Sequence, residues 1–377
     1  MRLASMNYVQ FEGTPREWRI DGVLLGPINL LVGSNASGKS RTLNVISGLS
    51  KLFAGDTKVS LLSGDYDVTF ADGDKQLRYR LKIADSKVTK ESFEAGSTTY
   101  LERGEGGVGR IWAQKENKFI DFQVPDNELA AVSRRDSIQH PYFESLNQWG
   151  ESLFHYYFGS QLGKDHFAIV DPSRKREINP RDPNQVIGIF RQGLKDYGDQ
   201  FKESIKTDMC EVNYLIDDVG VGEPISVVIH EPQGVVALFV KETGLGDITD
   251  QVDMSQGMFR VLSIVIQLNY SQQSKKPSCI LVDDIGEGLD FERSCALIKL
   301  LMRKAEQAGV QLIMSTNDRF VMNTVPLEVW TVLRRVGTKI RVRNYANSKE
   351  RFDQFKFTGM NNFDFYAFNF LDESKNG

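Results

Sequence analysis

The chain has 377 residues, 41% hydrophobic and 25% charged, and its 46 basic and 50 acidic side chains leave a net charge of −4. That composition is ordinary for a globular protein with room for two lobes, and so even a balance does not demand a nucleic-acid partner, although a local basic groove stays open. The three cysteines (Cys210, Cys279, Cys295) and four histidines (His140, His155, His166, His230) form no CxxC, HExxH or clustered spacing, which argues against a disulfide framework or a metal site of those kinds and for a reducing compartment.

The N-terminal stretch MRLASMNYVQFEG lacks the charged-then-apolar layout of a signal peptide. No apolar run approaches the roughly 20 residues of a membrane helix. The expectation is a soluble, cytoplasmic protein with no membrane partner. Strands are predicted over 2–10, 17–25 and 28–32, then a helix over 40–53, where Leu43, Ile46, Leu49 and Leu52 recur at helical spacing. Residues 66–71 and 77–83 alternate like half-buried strands around Asp72-Gly73-Asp74. Residues 87–125 read as less regular strands, and 127–163 as mixed and more helical.

A polar, proline-bearing loop covers 171–184, and a helix is predicted over 185–207. Strands are expected at 212–216, 225–230 and 235–241, and a helix from Ser255 to Tyr270. Cys279-Ile-Leu-Val282 is a short, fully apolar strand of the kind buried in a parallel sheet. A helix follows over 291–308, ending at Gly309, and then a second buried strand over 310–314. Residues 327–333 and 338–344 form a hairpin around Gly337. The stretch 352–370, rich in Phe and Asn, has no assignable period.

Gly33-Ser34-Asn35-Ala36-Ser37-Gly38-Lys39-Ser40 completes the pattern G-x-x-x-x-G-K-[ST], the Walker A phosphate loop. Its glycines let backbone N–H groups turn inward on phosphate, and the helix behind it aims its positive dipole end at the same anion. Lys39 is placed to reach the β- and γ-phosphates, and Ser40 to hold Mg²⁺. Arg41 follows directly. The strand Cys279–Val282 ends in Asp283-Asp284. An acid at the tip of a buried parallel strand faces the ligand side of the sheet. Asp283 is thus the candidate metal ligand, and Asp284 the residue that orients the attacking water or takes its proton.

From Cys279 to Asp290 the sequence CILVDDIGEGLD resembles the Walker B and D-loop segment of ABC-type ATPases of the SMC/RecF/OLD group. Upstream, Asp253-Met-Ser-Gln-Gly-Met-Phe-Arg260 sits where that group carries its signature. Downstream, Gln311-Leu-Ile-Met-Ser-Thr-Asn-Asp318 sits where it carries its switch. The resemblance spans residues 1 to about 335.

It implies an α/β fold: an ABC-type P-loop ATPase head with a mixed sheet, an antiparallel β subdomain and an inserted compact helical lobe. The expected lobes are 1–126 (Walker A and the antiparallel region), 127–210 (the inserted lobe) and 211–377 (signature, Walker B, D-loop and switch). The resemblance further implies ATP and Mg²⁺, and two heads that trap two ATPs. Ser255 and Gly257 would meet the γ-phosphate in trans, and Asp290 would belong to the D-loop crossing the dimer. The partners expected are therefore a second copy of the chain, or a higher homo-oligomer.

Three departures from the group's pattern stand out. Asp284 replaces the commoner Glu, Gln256 replaces a signature glycine, and Asn317 replaces the usual switch histidine. Asn can hydrogen-bond phosphate or water but cannot shuttle a proton. A slow ATPase is expected. Gln123 and Gln139 are Q-loop candidates by position alone. Residues 127–210 show no sustained heptads, so a compact lobe is expected in place of a long coiled coil. From the short stretch that follows Asp318, no nuclease domain of the OLD type is expected.

By analogy the chain resembles stand-alone ATPases of anti-phage defence or toxin–antitoxin systems, in which a separate effector, a nuclease or toxin, does the damage. The alternative is a RecF/SMC-like DNA-repair ATPase that binds DNA directly. Two basic groups, Arg174, Lys175, Arg176 and Arg181, and Arg334, Arg335, Lys339, Arg341 and Arg343, read first as a solvated face or an edge strand protected by charge, and otherwise could serve DNA or a partner. A transporter subunit is disfavoured by the altered signature and by the missing Pro after Asp284. A P-loop kinase would leave the distal segments without a purpose.

Overall fold

The computed structural model describes residues 1–169, 179, 181–227, 234–274 and 279–371. Arg174, Lys175, Arg176, His230 and the expected strand residues 228–230 lie outside the described residues. The chain forms two compact units, Met1–Leu153 with Pro326–Gly377, and Phe154–Val325.

In chain order the elements are strands β1 (Arg2–Gln10), β2 (Trp18–Leu24) and β3 (Ile28–Val32), helix α1 (Lys39–Ala54), and strands β4 (Ser63–Asp72), β5 (Lys75–Ala84), β6 (Lys87–Ala95), β7 (Thr98–Arg103), β8 (Val108–Ala113) and β9 (Lys118–Gln123). Helices α2 (Ala130–Ser133) and α3 (Glu144–Glu151) follow, then β10 (Leu153–Tyr157), β11 (Ala168–Ile169), α4 (Val186–Tyr197), α5 (Asp199–Glu211), β12 (Ile216–Gly222), β13 (Val235–Glu242) and β14 (Thr249–Asp250). The rest are α6 (Gln256–Ser274), β15 (Cys279–Asp283), α7 (Phe291–Ala308), β16 (Gln311–Thr316), α8 (Arg319–Thr324), β17 (Trp330–Val336), β18 (Lys339–Asn344), α9 (Tyr345–Lys356) and α10 (Asn362–Ala367).

In the first unit the strands run in the order β3-β17-β18-β2-β1-β4-β5-β6-β7-β8-β9. β17 pairs parallel with β3, and β18 parallel with β2, while β17 and β18 form an antiparallel hairpin. From β4 to β9 every pairing is antiparallel. The alternation expected at 66–71 and 77–83 is present: Tyr66, Val68 and Phe70 on β4, and Leu77, Tyr79, Leu81 and Ile83 on β5, are buried. Asp85 and Ser86 take φ of 50° and 59°, the left-handed pair that a tight two-residue hairpin needs.

Helix α1 buries Leu43, Ile46, Leu49, Leu52 and Phe53, and Phe53 packs edge-on to Tyr79 at 4.8 Å between ring centres. A Cβ on Gly150 would fall 2.6 Å from the Ser50 carbonyl oxygen, so α3 crosses α1 backbone to backbone at this glycine. A buried strut holds α2 to the meander. Glu91 accepts from Arg103, Tyr79 and the Ala130 and Ala131 N–H groups.

In the second unit β15 pairs parallel with β16 in the register Val282 to Met314, and β10 lies on the other side of β15. β13 pairs antiparallel with β11, β12 and β14. Helix α6 is buried over nearly its whole length. The single helix expected over 185–207 is two, α4 and α5, because Gly198 at φ 62° turns the chain between them. The strand expected at 212–216 begins only at Ile216, and the described part of that at 225–230 is not a strand. The unassigned Phe-rich tail forms α9 and α10, each started by an Asn capping box, at Asn344 and Asn361.

Candidate functional site

The phosphate loop lies in the first unit. All five residues of β3 are buried, so the strand is anchored before the loop begins. Ala36 and Gly38 adopt left-handed φ of 63° and 106°. A Cβ on Gly33 would fall 2.5 Å from the Leu333 carbonyl oxygen. Only glycine fits where β17 passes this closely. Gly38 precedes α1 with no side-chain cap, and the first turn carries no acidic residue. Neither a side-chain cap nor an acid of its own therefore competes with an anion at the start of this helix.

Lys39 is 5% exposed. Its Nζ donates to the carbonyl oxygens of Gly33 (2.7 Å) and Ser34 (3.3 Å), curling back over the loop. Thr42 Oγ1 donates to the Gly38 carbonyl at 2.8 Å. The buried Ser37 hydroxyl has no hydrogen-bond partner among the described residues. Ser34, Asn35 and Ala36 are exposed and Ser40 is half-buried. The Arg41 guanidinium lies 4.3 Å over the Trp18 ring and donates to Gln10 Oε1 at 2.6 Å. Burial holds its pKa below the usual arginine range, the Tyr8 hydroxyl opposes that, and nearby Arg335 adds to it.

The acidic pair, switch, signature and D-loop segments lie in the second unit. Asp283 is buried at the end of β15, and its backbone oxygen accepts from the Phe158 N–H at 2.8 Å. Ser315, opposite it on β16, donates its hydroxyl to Asp283 Oδ1 and accepts from the Asp284 N–H at 3.0 Å. Asp284 takes φ 56°, an uncommon conformation for a residue with a Cβ; it re-aims the chain as the strand ends. Thr316 Oγ1 donates to the Ile285 carbonyl at 2.9 Å. The parallel register therefore brings Asp283, Asp284 and the exposed Asn317 to the same end of two neighbouring strands. Asp318 caps α8, accepting from Phe320 and Val321 N–H at 2.6 and 3.1 Å.

Ser255 caps α6, its Oγ accepting from the Met258 N–H at 3.1 Å. Gly257 is buried against the segment after the acidic pair: a Cβ there would lie 3.0 Å from Leu289 Cδ2 and 3.1 Å from both the Gly288 oxygen and the Tyr214 hydroxyl. Three residues on, Arg260 donates to the carbonyls of Glu287 (2.9 Å), Gly159 (2.9 Å) and Ser160 (3.0 Å). Burial lowers its pKa. Asp290 caps α7, accepting from the Arg293 N–H at 2.9 Å and its guanidinium at 2.6 Å. The backbone bond from Arg293 leads in holding this carboxyl below its usual range. Ser255, Gly257 and the Glu287–Asp290 segment are thus brought together.

The sequence reading missed Ser315, Arg260 and Tyr214. Ser315 could have been found by aligning the two apolar strands, since it falls opposite Asp283. Of the Q-loop candidates, the Gln123 side chain donates to the Gly106 carbonyl at 3.1 Å, and the Gln139 backbone N–H donates to Asp136 at 2.6 Å.

The residues suit a magnesium nucleotide. In the first unit a lysine over a glycine-rich loop and an uncapped helix start fit phosphate; the Ser40 hydroxyl there, and the Asp283 carboxylate in the second unit, are each an oxygen donor of the hard kind Mg²⁺ takes. Among the described residues no three His, Cys, Asp or Glu side chains cluster as a metal cage, and no helix is long and apolar enough to cross a membrane.

This fold, with a phosphate loop behind one buried strand and an acidic pair at the tip of another, is that of an SMC-like P-loop ATPase head. The chain belongs to the family described as "AAA domain, putative AbiEii toxin, Type IV TA system", whose model matches residues 28–323. It is similar to a structure of the SmcHead bound to the C-winged-helix domain of ScpA, with TM-score 0.52 and 12% identity over 93% of this chain and 100% of that one. The SMC head domain from Thermotoga maritima aligns at TM-score 0.46 and 13% identity, over 91% and 99% of the two chains. An Smc head with extended coiled coil bound to the C-terminal domain of ScpA, derived from Pyrococcus furiosus, gives 0.47 and 9%, over 93% and 99%. No curated protein matches the chain.

Proposed function

We propose that this chain is an ATP-binding, slowly hydrolysing ABC-type ATPase of the cytoplasm that assembles head to head and regulates a separate effector protein, a nuclease or toxin, in anti-phage defence. The observation that carries the reading is Lys39, buried over its own loop and bonded to the Gly33 and Ser34 carbonyls, beside a helix start with no cap of its own. In this reading the N–H groups from Ser34 to Arg41 cradle the phosphates of ATP, and Lys39 exchanges its carbonyl partners for β- and γ-phosphate oxygens. Ser40 and Asp283 would each offer an oxygen to Mg²⁺, which would supply charge neutralisation on the phosphates.

Asp284 orients the attacking water and accepts its proton. Asn317 hydrogen-bonds water or the γ-phosphate without taking a proton. Ser255 and Gly257 of one copy meet the γ-phosphate held by the other, and Asp290 belongs to the loop that crosses between copies. The shorter reach of Asp284 and the missing switch histidine support slow turnover. The toxin–antitoxin description of the family supports a role in a system of that kind. SMC heads bound to ScpA domains supply a precedent for a head that docks a partner protein.

Phosphate release by the wild type, Lys39→Ala and Asp284→Asn tests the core of this. Slow turnover in the wild type and none in either variant is expected. Turnover unchanged by both substitutions would remove the assigned site, and a fast wild-type rate would contradict the slow switch.

A further inference from the structure

The hairpin of β17 and β18 carries charge that the ATPase reading does not use. Arg334 stands directly opposite Arg341 across the ladder, and Arg343 follows two residues on, on the same face. Arg341 and Arg343 form no ion pair with any of the described residues.

All three arginines line one cavity of about 480 Å³, within the range of small-molecule sites. Tyr366 and Asn369 face them from the C-terminal helix region, and Ser34 of the phosphate loop completes the rim. No carboxylate among the described residues lines this cavity. The far wall is built: Phe365, 1% exposed, locks α10 against Phe352 at 4.6 Å and Phe355 at 5.0 Å. Of the phosphate loop only Ser34 is on the wall. Gly38, Lys39 and Ser40, which would hold the phosphates of ATP, are not.

We propose that this cavity is a second anion site, taking a small phosphate-bearing ligand of mononucleotide size. Arg341 and Arg343 grip its phosphate oxygens as paired N–H donors, with Arg334 on the same wall. The Tyr366 ring and the Asn369 amide offer a stacking face and a polar contact for whatever the phosphates are attached to. The ligand also reports to the phosphate loop, because Ser34, which lines the cavity, accepts from Lys39 through its carbonyl. That coupling, but not the site, rests on the ATPase reading.

The test is calorimetric titration of the full chain with inorganic triphosphate and with ATP. It compares the wild type, Lys39→Ala, the pair Arg341→Ala/Arg343→Ala, and the charge-keeping pair Arg341→Lys/Arg343→Lys. The Lys39→Ala protein is expected to keep one site for triphosphate. Adding the two alanines should weaken that site at least about tenfold, with the lysine pair in between and folded, so that lost structure cannot mimic the result. ATP tighter than triphosphate at this site, with the difference removed by Tyr366→Ala, identifies a nucleotide; equal affinity identifies the bare oligophosphate. Loss of all binding in Lys39→Ala, or indifference to the arginine substitutions, overturns the proposal while leaving the phosphate loop intact. Tight binding of a single-stranded oligonucleotide with no triphosphate binding overturns it in favour of a nucleic-acid surface. A Lys39→Ala protein that binds ATP as the wild type does contradicts the phosphate-loop reading and not this one.

Discussion

Lys39 in the first unit and Ser315 in the second are each tied to a candidate segment in a different way. Lys39 is held by two carbonyl oxygens of its own loop, so its ammonium is positioned before any ligand arrives and gives up only neutral partners for charged ones. Lys39→Ala is expected to weaken ATP binding at least about tenfold, read by fluorescence titration; affinity within a factor of two of the wild type would contradict the role. Ser315 holds Asp283 by its hydroxyl proton and Asp284 by its lone pair. Replacing it by alanine removes a buried hydrogen bond to a carboxylate, a loss of about 1–3 kcal/mol of unfolding free energy. Urea unfolding reads that loss. Phosphate release should fall as well, since the backbone of Asp284 loses its tether; unchanged turnover would show that the tether is only structural.

At the scale of elements, three helices are pinned by one buried network. Asp208 on α5 accepts from Asn269 Nδ2 on α6 at 2.6 Å and from Lys304 on α7, and Lys304 donates to Asn269 Oδ1 at 2.8 Å. Burial raises the Asp208 carboxyl, and Lys304 opposes that rise. Lys304→Met strands a buried acid and should cost about 3–5 kcal/mol, whereas Lys304→Met with Asp208→Leu should recover most of it. Equal loss in single and double variants, measured by urea unfolding, would show that packing and not charge holds the three helices.

Gly257 links the signature helix to the segment after the acidic pair. Valine there must displace Leu289 or the Gly288 backbone, and a loss of about 1–3 kcal/mol follows from overpacking. A Gly257→Val protein as stable as the wild type would show that the Glu287–Leu289 segment yields freely.

The elements also show what could be read beforehand. The strand–loop–helix around Lys39 was legible because its whole meaning lies in eight consecutive residues and their flanks. The buried strands at Cys279 and Gln311 were legible from unbroken apolar runs. Ser315 was not, because its role comes from register between strands far apart in sequence. The break at Gly198 was hidden by apolar spacing that continues through it, although a glycine in a helical pattern is the available signal. The tail escaped because α9 and α10 are short and their caps place Asn347 and Asp364 where the familiar capping box has Glu or Gln. Its aromatics divide: Phe352, Phe355 and Phe365 are core, while Phe357 is 91% exposed and Phe368 66%.

For the whole molecule, the segments read in the sequence as Walker A, signature, acidic pair and switch all fall within the family match over residues 28–323. The proposed assembly asks more: two copies that close on ATP, with Ser255 and Asp290 facing the partner. In the structure both side chains cap their own helices, which leaves the hydroxyl proton of Ser255 and the N–H groups at the start of α6 as the means of meeting a phosphate in trans. The most direct test is mass by light scattering with and without ATP–Mg²⁺, for the wild type and for Asp284→Asn. The account predicts that ATP drives the wild type into a larger species that decays as ATP is consumed, and that Asp284→Asn holds this species longer. A mass unchanged by ATP in both proteins would contradict head-to-head closure and remove Ser255, Gly257 and Asp290 from the nucleotide site.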